Sequence, residues 1–463
     1  MIRIFGHYVS GKIVLLVGLE LAVLLLAAYI GISFQFSAFG AVVPDFNVVL
    51  SPRVGALPFG MLIVFTSMGL YQGDVWENSK SLQIRLAAAG FVGCVLAVAV
   101  TQMMPSFQFG SDALMLSVIV ALAGSGMVRF ALYKWDDSGI SKPRVLVLGT
   151  GSRVSNFAKY AERNRNHVVV GYVAPHASEH YVPLSDVVPL GNQESLASLA
   201  ERKAIDHVVV AVRDRREGGL PLQELLKCKL KGIKVSELPA FFEREYRQVL
   251  LESINPSWIV FGDGFRVGSN AILKRIIDVV ASATLLLLSL PVLAIAAVCI
   301  VLESGGPVFY RQERVGQRGR RFTIYKLRSM RTDAEIDGKP RWAATNDDRI
   351  TRVGRIIRKL RIDELPQIIN VLNGDMSFVG PRPERPYFVD SLVKQIPYFD
   401  LRHAVKPGIT GWAQVSCAYG ATIDDAIEKL QYDLYYVKNQ GLFLDLMILL
   451  ATIEVVLWGK GAR

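Results

Sequence analysis

Four apolar runs crowd the start of this 463-residue chain, at roughly Ile13–Ile32, Ala56–Tyr71, Ile84–Met104 and Ala113–Leu132. Each is close to the length that crosses a bilayer, about 20 residues. A lipid interior offers no partner to an exposed peptide group, so the runs are predicted to be membrane-spanning helices. The competing arrangement, four buried helices of a soluble core, calls for shorter runs more often broken by charge. The first run has no small-residue cleavage site at the expected distance and is followed by further runs, so it reads as an anchor rather than a signal peptide. Arg3, Lys12, Lys80, Arg85, Arg129, Lys134 and Lys142 fall on one side of the runs, whereas the other side offers mainly Arg53, Asp45 and Asp112. That asymmetry predicts both ends of the anchor in the cytoplasm.

After a polar turn at Trp135–Gly139, short β-branched runs alternate with amphipathic stretches, the pattern of an α/β domain. Arg144–Ser152 (RVLVLGTGS) reads as a strand entering a glycine turn, and His167–Val173 and Asp206–Val212 read as further strands. The fold is predicted to be Rossmann-like. Gly149 and Gly151 supply the first two glycines of a dinucleotide fingerprint, but Val154 holds the third place and Ala174 and Pro175 stand where a ribose-binding acid belongs. A tight turn in a regulatory or assembly domain is therefore preferred over a bound dinucleotide. A nucleotide-sugar dehydratase would share this layout, but no Tyr-x-x-x-Lys pair follows the turn.

A fifth apolar run follows Lys274 and Arg275 and has Pro291 near its middle. Proline removes a backbone donor and kinks a helix. Basic residues flank both ends, which predicts a re-entrant helical hairpin bent near Ser289 and Pro291, with both ends cytoplasmic. From Arg311 to Arg361 the chain holds sixteen Lys and Arg against six acids, nearly all of its net charge of +11. Such a patch suits nucleic acid, anionic lipid or a phosphorylated substrate. A nucleic-acid partner is disfavoured, since exposed aromatics do not interleave with the charges. The four cysteines form no CxxC pair, which leaves neither a zinc site nor a disulfide framework supported.

Val353, Ile356, Ile357 and Leu360 recur at helical spacing beside Arg352, Arg355, Arg358 and Lys359. Asp363 and Glu364 then open a second helix, with Pro366 in its first turn and Leu365, Ile368, Ile369 and Leu372 as its apolar stripe. Alone, Asp363 would read as an N-cap and Glu364 as a first-turn acid. Arg358 and the proline-stiffened GPRPERP loop, with Arg382 and Arg385, bring guanidinium groups that suit phosphate, and Lys326 adds an ammonium. Adjacent carboxylates among such cations can attack phosphorus or hold Mg²⁺. Gly441–Gly459 is interrupted by Asp445 and Glu454 and reads as an interfacial or core-packed helix.

The blocks KRIID, PVFYRQERVG, FTIYKLRSM, RIDELPQIINVLNGDMSFVGPRP and KPGITGWAQV, in order from about Leu273 to Trp458, resemble the bacterial sugar transferase family of polyisoprenyl-phosphate hexose-1-phosphate transferases. The anchor and the α/β domain resemble the family's long forms, and Ser253–Phe265 its exopolysaccharide branch. The resemblance implies transfer of a sugar 1-phosphate from a UDP-sugar to undecaprenyl phosphate with release of UMP, in the presence of Mg²⁺. It places the nucleophile on Asp363 beside Glu364, the metal on the same pair, phosphate binding on Arg358 and Arg382, and the re-entrant helix around Pro291. Arg361 and Ile362 depart from the small polar residue and Leu usual there, which bears on donor choice. Lys406, Trp412 and Gln414, in a glycine-rich loop with Gly408 and Gly411, are either donor contacts or parts of a turn. The expected architecture is a four-helix transmembrane anchor (1–136), a degenerate Rossmann-like α/β domain (137–255), a linker (256–273) and a mainly α catalytic domain (274–463). The expected place is the bacterial inner membrane with the catalytic domain cytoplasmic, and a homodimer through the anchor and the Rossmann-like domain is compatible with it. The alternative is a non-catalytic scaffold or nucleotide-sensing regulator.

Overall fold

The computed structural model describes residues 1–43, 45–50, 52–72, 79–103, 110–137, 142–163, 167–174, 181–189, 195–212, 220–254, 259, 264–265, 271–332, 347–417, 420 and 422–458. The chain divides into two compact units, one of Met1 with Asp136–Gly264 and one of Ile2–Trp135 with Phe265–Arg463. Most of the expected linker, and Pro175, lie outside the described residues.

The second unit begins with a hairpin in which Ile2–Ile4 (β1) pairs antiparallel with His7–Val9 (β2). Phe5 and Gly6, both with positive φ, make the two-residue turn between them. Helices α1 (Gly11–Ala38), α2 (Pro52–Ser67), α3 (Ser79–Met103) and α4 (Ser111–Asp137) follow. Asp136 and Asp137, expected in a turn, continue α4. Among the described residues four helices are long and apolar enough to cross a bilayer: α1, the greater parts of α3 and α4, and a later helix, Ala271–Ser304. The second expected span differs from its prediction, because α2 has only 16 residues.

Two arginines account for where α2 stops. A helix end leaves carbonyls without partners, and here Arg85 Nη1 donates to Met68 O at 2.7 Å while Arg129 Nη1 donates to Leu70 O. Gly69, at φ +71°, has no room for a Cβ, which would lie 2.1 Å from the Glu454 carboxyl carbon and 2.3 Å from Arg85. These arginines also correct the charge count. The asymmetry of basic residues treats them as flanking charges, yet they are 3% and 2% exposed. Arg129 pairs with Glu20 of α1 at 2.6 Å and Arg85 with Glu454 at 2.8 Å.

In the first unit four parallel strands, β3 (Arg144–Leu148), β4 (Val168–Val173), β5 (His207–Val210) and β6 (Lys234–Glu237), lie in the order β4-β3-β5-β6. The first three match the predicted strands; β6 is additional. Helices α5 (Ser152–Arg163), α6 (Leu196–Arg202), α7 (Leu222–Leu230) and α8 (Leu238–Tyr246) complete the unit, with a hydrophobic cluster on each face of the sheet. Gly149 turns at φ +131°, where a Cβ would press on Ala211 C at 3.2 Å, so backbone conformation and packing both call for glycine here. Val154, in the third glycine's place, is fully buried.

The second unit resumes with α9 (Ala271–Ser304), helical throughout with Pro291 inside it. An antiparallel ribbon, β7 (Phe309–Val315) with β8 (Arg321–Leu327), leads to α10 (Arg352–Lys359) and α11 (Ile368–Asn373). Two short parallel strands, β9 (Ser377–Val379) and β10 (Gly408–Thr410), flank α12 (Pro386–Gln395) in the sequence. Helices α13 (Trp412–Ser416), α14 (Ile423–Asn439) and α15 (Leu442–Trp458) end the fold. The charges that interrupt α15 face inward, as the core-packed reading predicts. Asp445 accepts from Lys274 Nζ at 2.6 Å, at the start of α9, and from Tyr436 Oη at 2.8 Å. Glu454, at 1% exposure, accepts from Arg85 and from Gln72 Nε2.

Breaking a buried ion pair from one side costs about 3–5 kcal/mol, because a charge is left behind. Arg85→Met should therefore lower the thermal unfolding temperature of the detergent-solubilised chain, and adding Glu454→Leu should restore most of it. A single variant as stable as the parent would show that the pair does not join α15 to the anchor.

Candidate active site

The basic patch is organised from the end of α9 outward. Glu303 accepts from the backbone N–H groups of Arg352 and Val353 at 2.8 and 2.9 Å, and Thr351 Oγ1 accepts from Gly354 N–H at 2.9 Å. The last turn of the long helix thus caps the first turn of α10, whose free N–H groups favour a carboxylate. Of the predicted stripe, Ile357 is buried, but Ile356 and Leu360 are 60% and 54% exposed. After Lys359 the chain reverses at Arg361, which takes the left-handed conformation at φ 57°. Ile362–Gln367 then form a 3₁₀ turn before α11. Three residues per turn instead of 3.6 rotate the faces. The buried residues become Pro366, Gln367, Ile368, Asn370 and Val371, whereas Ile369 of the predicted stripe is exposed and Leu365 and Leu372 are half-buried. Asp363 is therefore not an N-cap: Arg361 holds that position and the Asp363 side chain caps nothing.

The 3₁₀ turn buries both carboxyl groups and gives them different surroundings. Glu364 Oε1 accepts from Lys326 Nζ and from Arg382 Nη2, each at 2.8 Å, and Arg361 Nη1 lies 3.6 Å from Oε2. Asp363 Oδ1 is buried and has no hydrogen-bond partner. Burial, and then the charge of Glu364, push Asp363 up to about 6, against Lys326, Arg358 and Arg361. Burial acts in the same sense on Glu364, but Arg382, Lys326 and Arg361 outweigh it and hold that group well below the usual carboxylate range. Two neighbouring acids are thus separated, one fixed as an anion and one poised near neutrality.

Each cation is placed by its own support. Lys326 sits on β8, which Asn370 clips to α11 by accepting from Tyr325 N–H at 3.1 Å and donating to Thr323 O at 2.7 Å. Arg382 lies in a loop where prolines 381, 383 and 386 have no N–H to give, and four successive carbonyls, of residues 381–384, hold it. Gly408 N–H donates to Pro381 O at 3.0 Å and Val315 N–H to Glu384 O at 3.0 Å. Arg402 donates to Arg382 O and Arg314 to Pro383 O, both at 3.0 Å. Arg402 is itself held by Asp433 at 2.7 Å, an acid that burial pushes up to about 6. Backbone contact completes the seat: a Cβ on Gly411 would come within 2.2 Å of Gly380 O.

Of the residues singled out from sequence, Glu364, Lys326 and Arg382 meet directly, and Asp363, next to Glu364 in the chain, feels Lys326 and Arg358, half-buried on α10, by their charge. Arg385 immediately precedes α12 and acts by its charge on Arg314. Lys406 is grouped instead with Arg275, Asp278, Asp375 and Lys274. Trp412 packs against Tyr435 and His7, and Gln414 Nε2 donates to Ile409 O, so these two brace the turn. Ser289 and Pro291 lie inside α9, where Ser289 Oγ donates to Leu286 O. Arg314 and Arg402 are not anticipated from sequence; they clamp backbone carbonyls, a role no motif marks. Among the described residues no group of three or more His, Cys, Asp or Glu could hold a metal ion.

A family model described as bacterial sugar transferase matches residues 269–459. The chain is 43% identical over 258 residues to a UDP-N-acetylgalactosamine-undecaprenyl-phosphate N-acetylgalactosaminephosphotransferase of Aeromonas hydrophila, covering 56% of this chain and 60% of that protein. It is 32% identical over 364 residues to a UDP-glucose:undecaprenyl-phosphate glucose-1-phosphate transferase of Xanthomonas campestris pv. campestris, covering 74% and 73%. It is also 42% identical over 192 residues to the uncharacterized sugar transferase EpsL of Bacillus subtilis, covering 42% of this chain and 91% of that one. The chain thus spans less than two thirds of the length of the Aeromonas relative.

A methyl group forced between Gly411 and Gly380 must move backbone rather than a flexible side chain, at a cost of about 1–3 kcal/mol. Gly411→Ala should lower the unfolding temperature and loosen the Arg382 loop, read as faster proteolysis between 380 and 386. Unchanged stability and cleavage would mean that the glycine pair does not seat the loop.

Proposed function

This chain belongs to the bacterial sugar transferase family, and from that premise we propose that it transfers a sugar 1-phosphate from a UDP-sugar to undecaprenyl phosphate and releases UMP, the priming step of exopolysaccharide or O-antigen synthesis. The observation that carries the proposal is the split pair. An Asp363 carboxylate free of hydrogen bonds at Oδ1 is available to attack the phosphorus next to the sugar. The bond to the bridging oxygen breaks, UMP leaves, and the sugar phosphate is held on Asp363 as an acyl phosphate. An oxygen of undecaprenyl phosphate then attacks the same phosphorus, forming the diphosphate and freeing the carboxylate. Glu364 does not attack; it fixes Lys326 and Arg382 where the diphosphate charge arrives, and Arg358 adds a third cation.

Mg²⁺ is proposed with this site. It commonly takes one or two carboxylates and completes its shell with phosphate and water, and the orphan Asp363 oxygen fits that donor set. When bound, the ion neutralises developing phosphate charge.

We place the site at the cytoplasmic face, with α9 entering the membrane and returning. A straight helix of its 34 residues would be about 51 Å long. Its two ends are nevertheless tied to neighbouring parts of one domain. Arg275 donates to Val371 O and Leu372 O, beside Asn370, which bonds Tyr325 N–H. Three residues along the same strand direction, Arg328 donates to Ser304 O and Gly306 O at the other end. A bend at Pro291 without unwinding reconciles these ties. Pro291→Leu should straighten the helix and put part of the population's carboxyl-terminal tag outside, open to a membrane-impermeant label. Outside labelling of the parent protein would sink the re-entrant placement.

Asp363→Asn should reduce UMP release to below about one part in a hundred, with the unfolding temperature unchanged, since no hydrogen bond is lost. The rate in the parent should rise with pH through about 6, the value of Asp363, and level off above it, because only the ionised form attacks. Assay with a panel of UDP-sugars, undecaprenyl phosphate and Mg²⁺ checks both. An active Asn variant, or a rate flat from pH 5 to 8, would remove Asp363 from the nucleophile's role.

A further inference from the structure

The hairpin that precedes the first span is built into the transferase domain. His7 is 2% exposed, and its Nδ1 lies 2.9 Å from Tyr435 Oη. Tyr8 N–H donates to that same oxygen at 3.3 Å. Tyr435 Oη thus has two partners in the hairpin: it accepts from Tyr8 N–H and shares one hydrogen with His7 Nδ1. The imidazole also meets Trp412 edge-on at 5.5 Å, and Trp412 lies against Tyr435 at 6.2 Å. Phe5, at the tip, reaches Phe443 at 5.9 Å.

Trp412 is the residue after Gly411, whose backbone fills the space against Gly380. Gly380 N–H donates to Thr410 O at 2.9 Å, and two residues on Arg382 donates to Glu364. A run of close contacts therefore leads from the seventh residue to the catalytic pair. The hairpin sets the place of His7, which is paired with Ile4 across a two-residue turn. The aligned region of the Bacillus relative covers 91% of that protein and only 42% of this chain, so a transferase domain of this kind exists with little added to it. Here it carries Tyr435 and Glu454, both committed to residues of the first 85.

We propose that His7 is a positioning residue for the transferase site, acting through Tyr435 and Trp412 to seat the loop that presents Arg382. The proposal rests on the transferase reading for its kinetic arm and on the structure alone for its second arm. His7→Ala and Tyr435→Phe should each lower UMP release about tenfold, the worth of one oriented hydrogen bond, and the double variant should lose no more than either. His7→Asn, whose amide can accept or donate in place of Nδ1, should recover the rate to within about twofold. Amide hydrogen exchange of the same detergent-solubilised proteins supplies the second arm. Gly380 and Gly408 should exchange faster in His7→Ala and Tyr435→Phe and at the parental rate in His7→Asn, whatever reaction the protein catalyses. Parental exchange and parental rates in His7→Ala would overturn the proposal, as would losses that multiply in the double variant. A parent that releases no UMP from any UDP-sugar while the exchange pattern holds would instead count against the transferase reading.

Discussion

A carboxylate cannot be left alone in apolar surroundings, and much of this fold is the working out of that constraint. Glu20 is answered by Arg129 across the anchor and Glu454 by Arg85 from another helix. Asp445 is answered by Lys274 at the start of the re-entrant candidate, and Asp433 by Arg402 under the active loop. In each case the two charges come from different elements, so neutralising them also joins the elements. Apolar packing against lipid gives helices little reason to prefer one partner over another. The pairs give them one.

Asp363 is the informative exception. Its neighbour takes the cations that would otherwise neutralise it, and one of its own oxygens is left with no partner. A residue placed so gains nothing for stability from its charge. On the reading proposed for this site, what it retains is reactivity, and the arrangement that denies it a partner also fixes Lys326 and Arg382 beside it. The rigidity of the Arg382 loop belongs to the same design, because a guanidinium held through four backbone carbonyls needs little reorganisation when charge arrives.

The candidate site was more legible in the sequence than the packing. The acid pair, the proline-stiffened arginine loop and Lys326 could be read from residue types and spacing, and they do converge. Helix periodicity misled in two places for one reason: it says which residues share a face, not what the face meets. Ile356 and Leu360 lie on the predicted stripe of α10 yet are exposed, and the 3₁₀ turn after Arg361 rotates the following stripe out of register. Arg85 and Arg129 read as loop charges because their partners lie 369 and 109 residues away, beyond any local pattern. The same distance hid His7, 428 residues from Tyr435.

The Arg85 and Glu454 pairing also bears on how the protein is made. A chain emerges from the ribosome at about 5–20 residues per second, amino end first. The 369 residues that separate the two partners therefore take about 20–70 s to appear after Arg85 has been synthesised. For that interval the arginine has entered or approached the bilayer with its carboxylate still unmade, and the carbonyl of Met68 is the partner already at hand. Assembly of the anchor is then finished by the last helix rather than the first. A chain released early, lacking only its final turns, would carry both Asp363 and Glu364 and an anchor that had never closed.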